Sequence, residues 1–176
     1  MTHGNVSRPL FHPVGDHNMH REMGEDTGRV EAIYLAAHHG ELPHQVPEAA
    51  AHAGKGLEGD RNFGDSDPDC CNITLIEAEA FDQPSFDLDP AASRRQVLVR
   101  GVDLGGFIGR RFQVGEVECE GEERCEPCNR LARLVETQRV LKGLLHTGLR
   151  ARIVTGGTIR PGDMVRVAIP EDALRP

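Results

Sequence analysis

RRQVLVRGVDLGGFIGRRFQVGEVECEG, residues 94–121, is the stretch on which the fold turns. It opens on three polar residues, Arg94-Arg95-Gln96, and runs directly into VLVRG at 97–101. So short an apolar run, rich in Val and stopped by Gly, reads as a buried strand. Two more strands follow at 111–114 and 116–120, joined through the turn pair Gly115-Glu116. The glycines between 101 and 109 do not spell GxGxxG, and no GxxxxGK[ST] occurs anywhere in the chain, so neither nucleotide-binding loop is encoded.

Working outward, CNITLIE at 71–77 is a short β-branched string that predicts a buried strand, and Glu77 to Phe81 predicts a short helix stopped before Pro84. Upstream, RVEAIYLAA at 29–37 predicts the first strand, with a loop after it through His38, Pro43 and Pro47. Between them, Gly54 to Gly64 holds four glycines in GKGLEGDRNFG, a loop whose backbone must turn tightly or approach something closely. Downstream, Asn129 to about Leu145 carries apolar residues at helical spacing, and strands are expected at 150–155 and 163–169. The second of these follows another Gly-acid turn, Gly162-Asp163, an echo of Gly115-Glu116 too faint to count as a repeat. The sum is six or so strands and a few short helices without regular βαβ alternation. The expected fold class is mainly β (α+β), with a closed or barrel-like core.

Composition agrees. The 176 residues suit one domain, expected over 28–176, with 1–27 as a disordered or extended lead-in. That lead-in is rich in His, Gly and Pro without an apolar period; His12, His17 and His20 read there as solvated tail. Aromatic residues make up only 4%, with no Trp and one Tyr, Tyr34, so the core must be built from Val, Leu and Ile. The 20 Gly and 11 Pro imply many turns.

A net charge of −8 argues against a protein that grips nucleic acid or an anionic membrane. All but two of the 20 basic residues are Arg, the exceptions being Lys55 and Lys142. This suits an anionic ligand, but an Arg-preferring coding bias explains it equally. No segment approaches the roughly 18 apolar residues of a membrane span, and no secretory pattern opens the chain, so a cytoplasmic location is expected. Five cysteines without an export signal read as thiols, not as a disulfide framework.

The sharpest local feature is Arg124-Cys125-Glu126-Pro127-Cys128-Asn129-Arg130. Two cysteines three apart can share a metal, form a redox disulfide, include one active thiolate, or pack as inert thiols. A closed zinc site needs about four ligands; adjacent Cys70 and Cys71 point to opposite faces of a strand and make a poor second half. A thioredoxin-like site needs an α/β setting that the strand pattern does not supply. Cys128 before a helix, between Arg124 and Arg130, would gain thiolate character, opposed by Glu122, Glu123 and Glu126. Gly59-Asp60-Arg61 could aim an Arg at a phosphate or be a surface turn with a local ion pair. Arg94-Arg95 could grip a phosphate or be solvated charge. His38, His39, His44, His52 and His146 show no spacing that assigns them acid–base work.

Taken in order, GLEGDRNFG (56–64), ITLIE (73–77), residues 94–121, CEPC (125–128) and GLRARIVTGGTIRPGDMVRV (148–167) resemble a standalone bacterial MOSC domain, the C-terminal domain type of molybdenum cofactor sulfurases. The resemblance spans about 29 to 169. It implies a strand-rich barrel and places the family's GDR-type loop at Gly59, Asp60 and Arg61. Its RRN-type segment falls on Arg94, Arg95 and Gln96, with Gln where Asn is commoner, and its Cys after Pro falls on Cys128. Its late Gly-Asp turn falls on Gly162 and Asp163.

That resemblance implies a molybdenum–molybdopterin cofactor. Gly59, Asp60, Arg61, Arg94, Arg95 and Gln96 would bind it, and Cys128 would be catalytic residue and metal ligand. Two activities follow. One is a molybdopterin-dependent oxidoreductase acting on N-hydroxylated or related small molecules, served by a separate reductase. The other is a sulfur carrier that delivers sulfur to metal–sulfur centres through a Cys128 persulfide, supplied by a cysteine desulfurase. The chain itself shows no desulfurase domain with a pyridoxal phosphate lysine. A MOSC-type protein binding some other anionic ligand is a third, plainer possibility.

Overall fold

In the computed structural model, residues 27–64, 71–82, 88–127, 144 and 146–168 are described. The expected lead-in, Cys70, Cys128 and the expected helical stretch after Asn129 (Leu144 and His146 apart) lie outside the described residues.

Among the described residues eleven strands form. They are β1 (Thr27–Leu35), β2 (His44–Val46), β3 (Ala49–His52), β4 (Gly56–Leu57), β5 (Ile73–Glu77), β6 (Val97–Arg100), β7 (Arg111–Val114), β8 (Val117–Arg124), β9 (Leu149–Thr155), β10 (Gly157–Ile159) and β11 (Met164–Val167). Seven of them close a barrel in the order β11-β7-β8-β9-β5-β6-β1, with β1 returning to β11. Every pairing in the ring is antiparallel except β5 with β6. Closure removes the unpaired edges that an open sheet would present. β2 hangs on the C-terminal half of β1, and β10-β3-β4 form a small second sheet.

The seven strands expected from sequence are present within a few residues of their expected ends, and the helix expected after Glu77 is a 3-10 turn at Ala78–Phe81. The loop expected after β1 instead contains β2 and β3, and the count of six or so strands was too low. The reason is local: β2 has three residues before Pro47, and β3 is Ala-Ala-Ala-His, with no β-branched residue to announce it. β2 pairs back onto β1, while β3 pairs with nearby β4 and with distant β10.

The barrel interior is filled by alternate residues of its strands, including Val30, Ile33, Leu75, Val97, Val99, Phe112, Val117, Leu149, Ile153 and Val165. A register shift in β1 between Val30 and Ala32 lets Val30 and Ile33 both face inward although they are three apart. Phe107 and Phe112, both fully buried, bring their rings to 5.0 Å. Ala49, Ala51, Leu57 and Ile159 of the second sheet join the same core. A separate cluster of Ala32, Ile76, Ala78, Ala80, Leu98 and Leu144, with Tyr34, Phe81 and Leu88 against it, takes the opposite side of β1, β5 and β6.

The two Gly-acid turns meet in space. β7 pairs with β11, Gly115 donates to the Met164 carbonyl at 2.9 Å, and a side chain at Gly115 would run into the Asp163 carboxylate. That carboxylate accepts the Arg160 amide at 2.7 Å. The echo between the turns thus reflects a hairpin end, between β7 and β8, packed beside the turn that leads from β10 into β11.

Candidate functional site

The residues singled out from sequence gather where β1 ends. The Arg61 amide donates to the Ala36 carbonyl at 2.7 Å, the Tyr34 amide donates to the Gln96 carbonyl at 2.7 Å, and Arg94 Nη1 donates to the Glu41 carbonyl at 2.7 Å. One short stretch, Tyr34 to Glu41, therefore ties together the Gly59-Asp60-Arg61 loop and the Arg94-Arg95-Gln96 segment.

The first loop is built around a buried carboxylate. Gly59 takes a positive φ of 84°, and Asp60 follows with its side chain 1% exposed. Asp60 Oδ1 accepts the Asn62 amide at 3.0 Å, closing an Asx turn. Its other oxygen, Oδ2, is buried and has no hydrogen-bond partner. Arg61 Nη1 lies 3.9 Å from that oxygen, with the Arg61 side chain 11% exposed. No described residue hydrogen-bonds the Arg61 guanidinium. A guanidinium so little exposed, paired with Asp60 only at 3.9 Å, keeps hydrogen-bond donors that the described residues do not use.

The second segment has a different character. Arg94 caps the 3-10 turn Pro90–Ser93 in the left-handed conformation, φ 62°. Arg95 is buried: Nη1 donates to the Ser93 carbonyl at 2.6 Å and Nη2 to the Cys125 carbonyl at 2.5 Å, while Nε has no partner. Gln96 is buried as well, its Oε1 accepting the Thr74 amide at 2.9 Å and the Thr74 hydroxyl at 3.1 Å. Arg95 thus clamps the start of the CEPC segment, and Gln96 stitches β5 to β6. The extra methylene of Gln over Asn is what reaches across to Thr74.

Cys125 enters this frame from β8. Its amide donates to the Gly148 carbonyl at 3.1 Å, and its carbonyl is held by Arg95. Gly148 (φ +77°) sits so close that an added Cβ would be 3.3 Å from Cys125 Cβ and 3.0 Å from the Leu75 carbonyl, so the close approach requires glycine. Arg150 Nη1 donates to Glu123 at 3.3 Å, and the Cys125 side chain is the largest influence raising the Arg150 pKa, against the lowering effect of burial. Nearby, His146 holds a left-handed φ of 64° and lies 3.7 Å from Glu126. By contrast, Cys119 is sealed in the barrel core, and burial pushes its pKa up to about 12, which leaves it inert. Among the described residues no cluster of three His, Cys, Asp or Glu is placed to hold a metal ion.

A family model of the MOSC domain matches residues 70–166, more than half of the chain. The chain belongs to the MOSC domain family. The same fold is seen in solved structures. YuaD from Bacillus subtilis superposes with a TM-score of 0.67 at 17% identity, over 80% of this chain and 95% of that one. YiiM from Geobacillus stearothermophilus gives a TM-score of 0.62 at 13% identity, over 81% and 75%. YiiM from Escherichia coli gives 0.58 at 16%, over 80% and 70%. At such identities the likeness is one of fold. No curated protein matches by sequence. MOSC domains as a family are associated with the molybdenum cofactor. Among the described residues no helix is long and apolar enough to cross a membrane.

Within this MOSC domain, the structure brings Asp60, Arg61, Arg94, Arg95 and Gln96 to one end of β1, and brings Cys125 to Arg95. Cys128 lies outside the described residues. Two participants were missed from sequence: Arg150, which reads as an ordinary outward residue of an alternating strand, and Glu77, which reads as the polar end of one. Only their partners across the barrel mark them out.

Proposed function

We propose that this MOSC protein binds a molybdenum–molybdopterin cofactor and acts as a molybdopterin-dependent oxidoreductase on N-hydroxylated or related small molecules, with Cys128 as the molybdenum ligand. The observation that carries the reading is the Arg61 guanidinium, 11% exposed and without a hydrogen bond from any described residue. A planar cation held in that state is a receptor for a phosphate, which accepts two of its N–H groups at once. Arg95 contributes to the frame and not to the grip, its one unpartnered nitrogen, Nε, being sealed from solvent. The donor set therefore fits the anionic part of molybdopterin.

The roles divide by chemistry. Arg61 grips the phosphate, and Arg94, whose guanidinium is held at the Glu41 carbonyl, adds positive charge to the same group of loops. Asp60 opposes an anion by its own charge, but its contact with Arg61 holds the guanidinium in place and its Oδ1 fixes the loop. Arg95 and Gln96 support the frame, since their other polar atoms are spent on the Ser93 and Cys125 carbonyls and on Thr74. When bound, the molybdenum centre supplies two-electron redox chemistry; a separate reductase would deliver the electrons, and a reducing cytoplasm would keep the thiols free.

One observation favours the second reading, a sulfur carrier charged by a cysteine desulfurase. Cys125, three residues before Cys128, has its side chain close enough to Arg150 to raise that arginine's pKa, and a thiol so placed in sequence could take the outer sulfur of a Cys128 persulfide with the Cys128 thiolate as leaving group.

The test is expression of wild type, Cys128→Ala and Arg61→Lys in a molybdopterin-competent host, with molybdenum and released pterin counted per chain. Near-stoichiometric molybdenum is expected in the wild type. It should be lost with pterin retained in Cys128→Ala, and pterin should fall in Arg61→Lys, which keeps the charge but not the fork. A folded wild type empty of both would overturn the cofactor reading, and persulfide on Cys128 would then establish the carrier.

A further inference from the structure

The carboxylate of Glu77 stands outside the residues that the proposed function uses, yet it is wired to the thiol segment. Glu77 closes β5 with its side chain only 13% exposed. Its two oxygens serve two distant pieces of backbone: Oε2 accepts the Gly148 amide at 2.6 Å, and Oε1 accepts the Leu104 amide at 3.2 Å. Gly148 in turn offers its carbonyl to the Cys125 amide at 3.1 Å. On the far side of the same residue, Arg95 takes the Cys125 carbonyl. The main chain of Cys125 is thus held between two largely buried charged side chains, one acting directly and the other through a single glycine.

We propose that Glu77 is a positioning residue for the thiol segment: its carboxylate holds Gly148, and through Gly148 the backbone of Cys125, in the register from which the chain proceeds to Cys128.

Only an ionised carboxylate does this work well. It accepts on both oxygens, whereas a carboxamide would turn an NH2 group toward one of the two backbone N–H donors. The charged groups facing Glu77 are Arg124, 3.5 Å from Oε1, and Asp103, which lies 3.5 Å from the same guanidinium. Burial raises the Glu77 pKa above 4.5, against the lowering effect of the Gly148 amide, its own amide, Arg124 and the Leu104 amide. A carboxyl raised in this way contributes stability fully present below the unfolded value and lost as pH rises through the folded value. At neutral pH the ionised Glu77 therefore costs stability relative to its protonated form. A costly charge kept on two backbone donors is what a positioning role predicts and what simple stabilisation does not.

The proposal rests on the thiol segment being the working site, but its primary readouts need no cofactor, so the two can fail separately. In the wild-type protein followed by NMR from acid to neutral pH, the Gly148 and Leu104 amide protons should titrate together with one midpoint above 4.5, and the Cys125 amide should follow them. In Glu77→Gln that titration should vanish. Hydrogen exchange at Cys125 and Gly148 should accelerate about tenfold or more, and iodoacetamide should alkylate Cys128 at a rate changed at least about threefold. Unchanged Cys125 exchange and unchanged Cys128 alkylation in a folded Glu77→Gln protein would overturn the proposal, leaving the carboxylate a local cap. Should the variant not fold, the wild-type titration decides alone: a Cys125 amide that ignores the Glu77 midpoint overturns it.

Discussion

Arg100 and Arg61 lie at opposite ends of the same barrel wall and have opposite surroundings. Arg100, at the end of β6, is 43% exposed and fully partnered. Its Nε donates to Glu31 at 2.6 Å, and its two terminal nitrogens donate to the two oxygens of Asp82 at 2.6 and 3.1 Å. The hydrogen bonds to Asp82 and then Glu31 raise the Arg100 pKa further above its already high value, and the one to Arg100 lowers the Asp82 pKa. Arg61 has four times less exposure and no hydrogen bond to its guanidinium from a described residue. Good geometry in solvent marks a surface ion pair of small consequence, whereas poor satisfaction in a buried place marks a site. Arg95 stands between the two cases: buried like Arg61, yet held by two carbonyls like a structural strut.

Removing the strut should have the largest effect. Arg95→Leu leaves the Ser93 and Cys125 carbonyls without their charged donor, and a loss of about 2–5 kcal/mol in unfolding free energy is expected from denaturant titration. An Arg95→Leu protein as stable as the wild type would remove the clamp on Cys125 from consideration. Replacing the buried pair as a unit should separate stability from binding. Asp60→Asn with Arg61→Met should stay within about 1 kcal/mol of the wild type, because a buried ion pair offsets little more than its own desolvation, while retained pterin falls to background. Marked destabilisation without loss of pterin would recast Arg61 as structural. The smallest effect belongs to Arg100→Gln, with a melting midpoint within about 2 °C of the wild type and pterin content unchanged. A substantial loss of pterin in that variant would erase the contrast between the two ends of the barrel.

Much of the ring was legible in the sequence because β-branched residues at period two report their own burial. Val97-Leu98-Val99, Ile73-Thr74-Leu75-Ile76 and Val165-Arg166-Val167 each announce a strand without reference to anything else. β2, β3, β4 and β10 were not legible. They are two to four residues long, too short to show a period, and three of the four lean on Ala or Gly; the pairing of β10 with β3 joins residues about a hundred apart. The candidate site divides in the same way. Gly59, Asp60 and Arg61 could be named from their motif, but whether Arg61 pointed to solvent or lay largely covered against Asp60, without a hydrogen bond from a described residue, could not. Arg95 and Gln96 were equally nameable, and the structure adds that most of their polar atoms are engaged with the protein itself.

By itself, then, the sequence determined the class of fold, the arginines and thiols on which to concentrate, and the family to which the chain belongs, because residue type and short-range period act through local physics. Tertiary structure alone decided that Arg95 is held by two carbonyls while no described residue hydrogen-bonds the Arg61 guanidinium, and that Glu77 is linked to Cys125 through Gly148. Those distinctions depend on burial and on hydrogen-bond partners tens of residues apart, brought together only when the seven strands close.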